Sequence, residues 1–200
     1  MIRDGADSME RYRLAQDGFD GVLAAVPADR WESSSACAEW TVRDVAGHVI
    51  WAQWQLRAWA TGEADPPPTG APGSPHPAPV AGDDPVAAWR AARAESVAAL
   101  TDEALGRTVS ITGIGQVPLI AVVPLLVTDT VAHTWDIGHA LGMAVELDPR
   151  LVAVAFDWAR SSVVRRPGFF GPELDPPDGA DEQTRLLAYL GRAAWRPVLA

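Results

Sequence analysis

The chain of 200 residues contains no lysine, and all 16 of its basic side chains are arginines. This absence excludes catalysis through a lysine Schiff base, which requires a side-chain amine. Cysteine is nearly absent as well, because Cys37 is the only one in the sequence. One cysteine cannot form an internal disulfide or a metal site built from several thiolates.

Long apolar runs are also missing. The longest, residues 117–127, includes two prolines and is shorter than the ~18–20 residues of a membrane span. The first residues, MIRDGADSMERYRL, lack the apolar stretch of a signal peptide. We therefore expect a cytoplasmic protein without a membrane partner. The net charge of −10 also argues against nucleic-acid and anionic-membrane partners.

The apolar residues recur at helical spacing in several segments, and 48% of the chain is hydrophobic, which is enough for a full core. The pattern predicts helices over residues 8–25, 41–60, 85–105, 118–141, 149–166 and 182–192. Pro124 is expected to bend the fourth of them. The Pro/Gly-rich segment 61–85 is predicted to be a long loop with neither helix nor central strand, and 108–119 a short hairpin or extended pass.

These elements predict an all-α fold: a four-helix bundle with a long Pro/Gly loop between helices two and three and a C-terminal extension. We expect one domain over residues 1–200, with the core bundle in 8–145 and the extension in 146–200. Metal sites in such bundles are built from inward side chains on facing helices.

Asp129 and His133 lie one turn apart on the apolar face of the predicted helix 118–141. Burying either group without a partner costs several kcal/mol, about as much as a lost buried hydrogen bond or more. A divalent metal would satisfy both, as would a simple hydrogen bond between them. His48 is the only polar residue on the apolar face of the predicted helix 41–60 and is a third candidate ligand, although a hydrogen-bonded core histidine is the alternative.

Asp136 follows on the same face of the helix, and four roles are open for it. It could orient an imidazole from behind or bond a tryptophan indole. It could form a local structural hydrogen bond, or act as an acid or base near the metal.

Other polar residues are assigned less specific roles. His139 lies off the ligand face and is predicted not to bind metal, while His76 is expected to be solvated in the Pro/Gly loop. Cys37 is predicted to be a small buried hydrophobe, with a nucleophile as the less favoured alternative. The GIGQ run at 113–116 lacks the context of a phosphate loop and is predicted to be a turn. Four arginines are expected at the surface and remain candidates for binding substrate carboxylates: Arg43, Arg57, Arg160 and Arg192.

Two motifs, CAEWTVRDVAGHV (residues 37–49) and DTVAHTWDIGHALG (residues 129–142), resemble the signature segments of the DinB/YfiT-like metalloprotein superfamily. The nearest branch is the actinobacterial group related to the N-terminal domain of mycothiol-dependent maleylpyruvate isomerase. This resemblance implies a metal site formed by His48, Asp129 and His133. The isomerase has glutamate at the acidic position, where this chain has the shorter Asp129. It also carries a separate C-terminal domain, which we do not expect in this chain.

Three protein ligands leave at least one coordination position open, which is typical of a catalytic metal site. The resemblance implies a divalent metal, most simply zinc, with nickel, iron or manganese as alternatives, and a small thiol such as mycothiol as co-substrate. The predicted function is a thiol-dependent S-transferase or isomerase acting on an electrophilic substrate. A hydrolase in which the metal activates water, and a metal- or ligand-binding module without turnover, are the alternatives. A monomer and a homodimer are both compatible with the sequence.

Overall fold

The computed structural model describes residues 2–37, 39–165 and 169–195, with the side chains of 2–4 excepted. The described residues form eight helices: α1 (Ile2–Ala24), α2 (Val42–Thr61), α3 (Ala78–Ala81), α4 (Pro85–Ala99), α5 (Asp102–Gly106), α6 (Val123–Ala140), α7 (Pro149–Ser162) and α8 (Glu182–Tyr189). Strands β1 (Thr108–Ile111) and β2 (Gly115–Pro118) form an antiparallel hairpin. The predicted all-α class and the hairpin are confirmed.

The four long helices α1, α2, α4 and α6 form the bundle. Helix α1 packs against α6 and α4, and α2 packs against the same two helices; the buried apolar side chains form two clusters. The predicted inward face of α1 is buried, with Tyr12, Phe19 and Leu23 fully inaccessible. Helix α7 covers the far side of α6 and in turn contacts α8.

Helix α6 is buried on almost every side because the bundle covers one face and α7 the other. Among the described residues, Leu119–Ala140 is the one segment long and apolar enough to span a membrane, but 72% of it is buried inside the protein. Burial of this extent is typical of a central core helix.

The Pro/Gly segment departs from the prediction, because it contains a 3₁₀ turn at Pro68–Gly70 and the one-turn helix α3. Prolines stand in the first turn of both, where a missing N–H leaves no helical hydrogen bond unmade. The prediction that proline excludes helix here was therefore wrong for these two turns.

Several helix ends also differ from the prediction. Helix α1 begins at Ile2 rather than at residue 8. Its first residues are mostly polar, so they give no apolar periodicity from which the start of the helix could be predicted. The predicted helix 85–105 is divided because Thr101 caps a new helix, its hydroxyl accepting from the Ala104 N–H. Pro124 occupies the first turn of α6, and residues 119–122 form a 3₁₀ turn where the predicted helix was expected to continue. Helices α7 and α8 end early, at Ser162 and Tyr189; the predicted end at Arg166 lies outside the described residues.

Candidate metal site

The three predicted ligands meet in the interior of the bundle. Helix α2 supplies His48, and α6 supplies Asp129 and His133 from successive turns. The Nε2 atoms of His48 and His133 lie 3.6 and 3.5 Å from Oδ1 of Asp129. One nitrogen or oxygen from each residue lies within 4.8 Å of the other two, so a single cation could contact all three.

The orientation of His48 is set by the Pro/Gly segment. Its Nδ1 lies 2.7 Å from the carbonyl oxygen of Gly70. A peptide carbonyl can only accept, so Nδ1 carries a hydrogen and Nε2 is directed toward Asp129. Gly70 approaches α2 so closely that a Cβ at this position would lie 2.3 Å from Cβ of Trp51. A glycine is therefore needed to bring this carbonyl to the imidazole.

The orientation of His133 is set by Asp136, one turn further along α6. Nδ1 of His133 lies 2.8 Å from Oδ2 of Asp136, which is fully buried. Arg192 donates to both carboxylate oxygens of Asp136, with distances of 3.1 Å to Oδ1 and 2.8 Å to Oδ2. A carboxylate behind a histidine in this way fixes the ring and leaves Nε2 free for a metal.

Charge in the site follows from these contacts. Burial raises the pKa of Asp136, but the Arg192 guanidinium and the His133 bond outweigh it and lower that pKa to about 2. Burial likewise opposes ionisation of Asp129, yet the two imidazoles hold its pKa well below the usual range. For His133, burial lowers the pKa, whereas Asp129 and Asp136 raise it to about 9. The site therefore attracts positive charge at its centre.

The donor set fits a divalent metal. When both imidazoles are neutral with Nδ1 protonated, the lone pairs of two Nε2 atoms face a carboxylate oxygen at 3.5–3.6 Å. Three lone pairs directed at one point repel each other unless a proton or cation lies between them. Two imidazole nitrogens and one carboxylate oxygen are a common zinc ligand set.

The walls of the site are formed by segments outside the helices. The Trp40 ring centroid lies 5.2 Å from that of His48 and 6.1 Å from that of His133. Its indole N–H donates to the carbonyl oxygen of Ser74 in the Pro/Gly segment, 3.1 Å away. The Asp129 side chain is 19% exposed, whereas the two imidazoles are about 5% exposed. The approach from solvent is therefore on the Asp129 side.

Cys37 lies beside this centre, in a second group with His133 and Asp136 whose ligand atoms also lie within 4.8 Å of each other. This group is the poorer metal site, since Asp136 is already paired with Arg192 through both oxygens. Burial, helped by the charge of Asp136, raises the pKa of the Cys37 thiol to about 12. The thiol is therefore protonated near neutral pH and a weak ligand.

The remaining predicted residues lie elsewhere, with one exception. His139 stacks on Trp135 at 4.3 Å between ring centroids, and His76 is exposed. Arg43 and Arg57 pair with glutamates, Glu32 for the first and Glu63 and Glu95 for the second, and Arg160 lies over the Phe156 ring. Arg192 is the exception: it is 8% exposed and bound to Asp136, so its predicted surface position was wrong.

Sequence reasoning missed three contributors to the site: the Gly70 carbonyl, Arg192 and the proximity of Cys37. A backbone carbonyl has no residue signature, and Arg192 is 56 positions from Asp136. Cys37 precedes α2 and reaches the site only through the turn that also places Trp40. The glycine of the loop was the one available signal, since glycine often marks a close backbone approach.

Comparison with known proteins identifies a matching family and two similar sequences. The sequence profile described as "Mycothiol maleylpyruvate isomerase N-terminal domain" matches residues 12–138. Two uncharacterised proteins of Mycobacterium tuberculosis, from strains CDC 1551 / Oshkosh and H37Rv, are each 31% identical over 195 residues. Each alignment covers 93% of this chain and 98% of the relative. No solved structure matches the chain significantly.

Proposed function

Because the chain belongs to the mycothiol maleylpyruvate isomerase N-terminal domain family, we propose that it is a divalent-metal protein of thiol-dependent chemistry. Its proposed activity is that of an S-transferase or isomerase using a small thiol such as mycothiol and an electrophilic substrate. The proposed ligands are His48, Asp129 and His133, with zinc as the first choice of metal and nickel, iron or manganese as alternatives. When bound, the metal would lower the pKa of the thiol and stabilise its thiolate.

One observation carries the proposal: each imidazole has its Nδ1 hydrogen held by an acceptor and its Nε2 directed at Asp129. A core hydrogen bond between one histidine and one aspartate would need only a single imidazole. Here His48 of α2 and His133 of α6 are both directed at Oδ1 of Asp129. The Gly70 carbonyl holds the first ring, and Asp136, paired with Arg192, holds the second. Three protein ligands also leave room for a thiol, as in catalytic rather than structural metal sites.

The other protein groups have separate roles in this proposal. Trp40 covers the imidazoles on one side, while the exposed edge of Asp129 leaves a side by which a thiol can enter. Asp136 holds the His133 ring and is not available to move protons, since Arg192 occupies both its oxygens. The protonated Cys37 thiol makes attack by the protein's own sulfur a poor alternative to a small external thiol.

The same observations weigh on the alternative activities. A metal-dependent hydrolase normally needs a general base beside the metal, and Asp136 was the candidate. With its pKa lowered to about 2, this carboxylate is a weak base near neutral pH. A non-catalytic metal-binding module would require only the three ligands. Only a measurement of turnover distinguishes it from the proposed enzyme.

The metal assignment is tested by measuring the metal content of purified protein with mass spectrometry. We expect about one divalent metal per chain, lost in His48→Ala and in His133→Ala. His139→Ala is the matched control, because His139 is on the same helix but stacks on Trp135. Equal metal content in all four proteins would refute the site.

The reaction class is tested by incubating the metal-loaded protein with mycothiol and a panel of electrophiles that includes maleylpyruvate. Product masses separate the alternatives: a thiol adduct indicates a transferase, an unchanged mass with altered absorbance an isomerase, and a gain of water a hydrolase. Activity that does not depend on mycothiol would contradict the proposal. Metal binding without any turnover across the panel would favour the binding module.

A further inference from the structure

Arg192 is a buried cation at the edge of the candidate metal site. Its Nε and Nη2 atoms donate to the two oxygens of Asp136, and Nη1 donates to the carbonyl oxygen of Leu190 at 2.8 Å. The residue is 8% exposed. A two-pronged pair of this kind fixes the plane of the carboxylate as well as its position.

The end of α8 brings this arginine to the site. Gly191 follows the helix with φ of +85°, its N–H donates to the Ala188 carbonyl oxygen, and the Arg192 N–H donates to the Leu187 carbonyl oxygen. Bonds of this pattern end a helix at a left-handed glycine and reverse the chain. A Cβ on Gly191 would lie 3.0 Å from the Gly171 Cα, so another residue would crowd this crossing as well as strain its own backbone.

Asp136 transmits the position of Arg192 to His133. The Oδ2 atom that accepts from Arg192 Nη2 also lies 2.8 Å from His133 Nδ1. Arg192, Asp136 and His133 therefore form one continuous series of polar contacts that ends at the Nε2 directed to Asp129. The arginine lies outside the matched family segment, 12–138, and is supplied by the C-terminal extension.

We propose that Arg192 is a positioning residue for the metal ligand His133, acting through Asp136, so that the C-terminal extension completes the metal site. The proposal rests on the proposed metal site. Removing the guanidinium leaves Asp136 a buried carboxylate with one partner lost, and its side chain no longer has a fixed plane. Loss of a partner behind a metal-bound histidine lowers metal affinity about 10–100-fold.

The test is zinc affinity, measured by competition with a chromophoric chelator. We expect Arg192→Gln to bind zinc about 10–100-fold more weakly than the wild type. Arg192→Lys, which keeps the charge without the two-pronged geometry, should lie between them. The matched control is Arg165→Gln, because Arg165 also holds the extension, through the carbonyl oxygens of Gly171 and Tyr189, without contacting Asp136.

A double-mutant cycle separates positioning from a general loss of structure. In an Asp136→Asn background, Arg192→Gln should change zinc affinity about twofold at most, since the path through the carboxylate is already gone. An equal loss in both backgrounds, or in Arg165→Gln, would overturn the proposal. Circular dichroism of each variant reports whether the helices have formed.

A readout without metal distinguishes failure of this proposal from failure of the metal site. Nitrogen NMR of the metal-free wild type at pH about 10, where the His133 ring is neutral because its pKa is raised to about 9, should show the tautomer with hydrogen on Nδ1, and Arg192→Gln should mix the two tautomers. A single unchanged tautomer in Arg192→Gln would contradict the role of Arg192 even if the wild type bound no zinc. Mixed tautomers together with no zinc binding by the wild type would support the positioning and refute the metal site.

Discussion

At the scale of the residue, the site depends on which nitrogen of each imidazole carries hydrogen. His48 is fixed by a backbone carbonyl and His133 by a carboxylate. Both acceptors hold Nδ1, so both Nε2 atoms are free for a cation. The spacing of Asp129 and His133 predicted the second of these imidazoles, but nothing local to His48 indicated its partner, Gly70.

Gly70→Ala should weaken both the loop packing and the metal site. The new Cβ would lie 2.3 Å from Cβ of Trp51, so the segment must move away and withdraw its carbonyl from His48. We expect a loss of about 1–3 kcal/mol in the free energy of unfolding, together with weaker zinc binding. Gly18→Ala is the control, because a Cβ there meets open space on α1. Urea unfolding and chelator competition measure the two effects; a Gly70→Ala variant as stable as Gly18→Ala would contradict the contact.

The stability of the metal-free protein should fall as pH rises through the titration of His133. Its folded-state pKa is raised to about 9, above the ordinary value. The proton therefore stabilises the fold fully below pH ~6.5, and this contribution disappears as pH passes ~9. We expect a loss of roughly 1–3 kcal/mol between pH 6 and 9, measured by urea unfolding after chelation.

The measurement is made in a Cys37→Ala background, because the raised thiol pKa of Cys37 gives a loss of the same sign above pH ~8.5. Asp136 does not titrate in this range, since its pKa is lowered to about 2. In His133→Gln the dependence on pH should be much smaller. A dependence that survives this substitution would assign it to another group.

At the scale of the element, α2 is both a bundle helix and the support of the Pro/Gly segment. The segment runs along one face of α2 and contacts it at successive turns: Ala78 at Asp44, Pro77 at Gly47, Gly70 at His48, Pro67 at Trp51 and Asp65 at Gln55. These contacts follow the spacing of one helix face. Pattern analysis predicted the loop but not its path, because the anchors are mostly backbone groups.

Asp44 is the anchor at the start of this face, and its removal should affect two elements. One carboxylate oxygen completes the capping box with Thr41, and the other accepts from the Ala78 N–H at 2.8 Å. We expect Asp44→Ala to cost about 2–3 kcal/mol, from a lost cap and a second lost bond. Asp84→Ala, which removes only the exposed cap of α4, should cost about 1 kcal/mol. Equal losses in chemical denaturation would show that the bond to Ala78 contributes nothing.

At the scale of the whole molecule, a buried polar network joins three helices of the bundle. Oε1 of Gln53 on α2 accepts from Tyr12 and Gln16 of α1 and from Ser96 of α4, at 2.9–3.1 Å. Burial raises the pKa of Tyr12 above its usual range, so the hydroxyl stays protonated. The network fixes how α1, α2 and α4 are aligned, and therefore how His48 of α2 faces α6.

Gln53→Leu should destabilise the protein more than an ordinary polar substitution. Three buried donors lose their shared acceptor. The Ser96 hydroxyl keeps the Arg93 carbonyl oxygen as an acceptor, whereas the lost bonds of Tyr12 and Gln16 cost ~1–3 kcal/mol each, less any relaxation. We expect a loss of about 3–4 kcal/mol in the free energy of unfolding. Gln116→Leu on the exposed face of β2 is the control and should change stability by less than ~0.5 kcal/mol. A loss below ~1 kcal/mol for Gln53→Leu would show that the network repairs itself.

The sequence by itself determined the all-α fold, the main helices and the pairing of Asp129 with His133, because helical periodicity and the i,i+4 spacing are local properties. Together with the two motifs, it also identified His48 as the third candidate ligand. Only the tertiary structure decided which atoms orient the candidate ligands: the Gly70 carbonyl on His48 and the Arg192–Asp136 pair on His133. Gly70 lies in an irregular loop, and Arg192 reaches Asp136 of α6 from beyond α8. Their positions depend on how the chain packs over the bundle, and no periodic pattern records that packing.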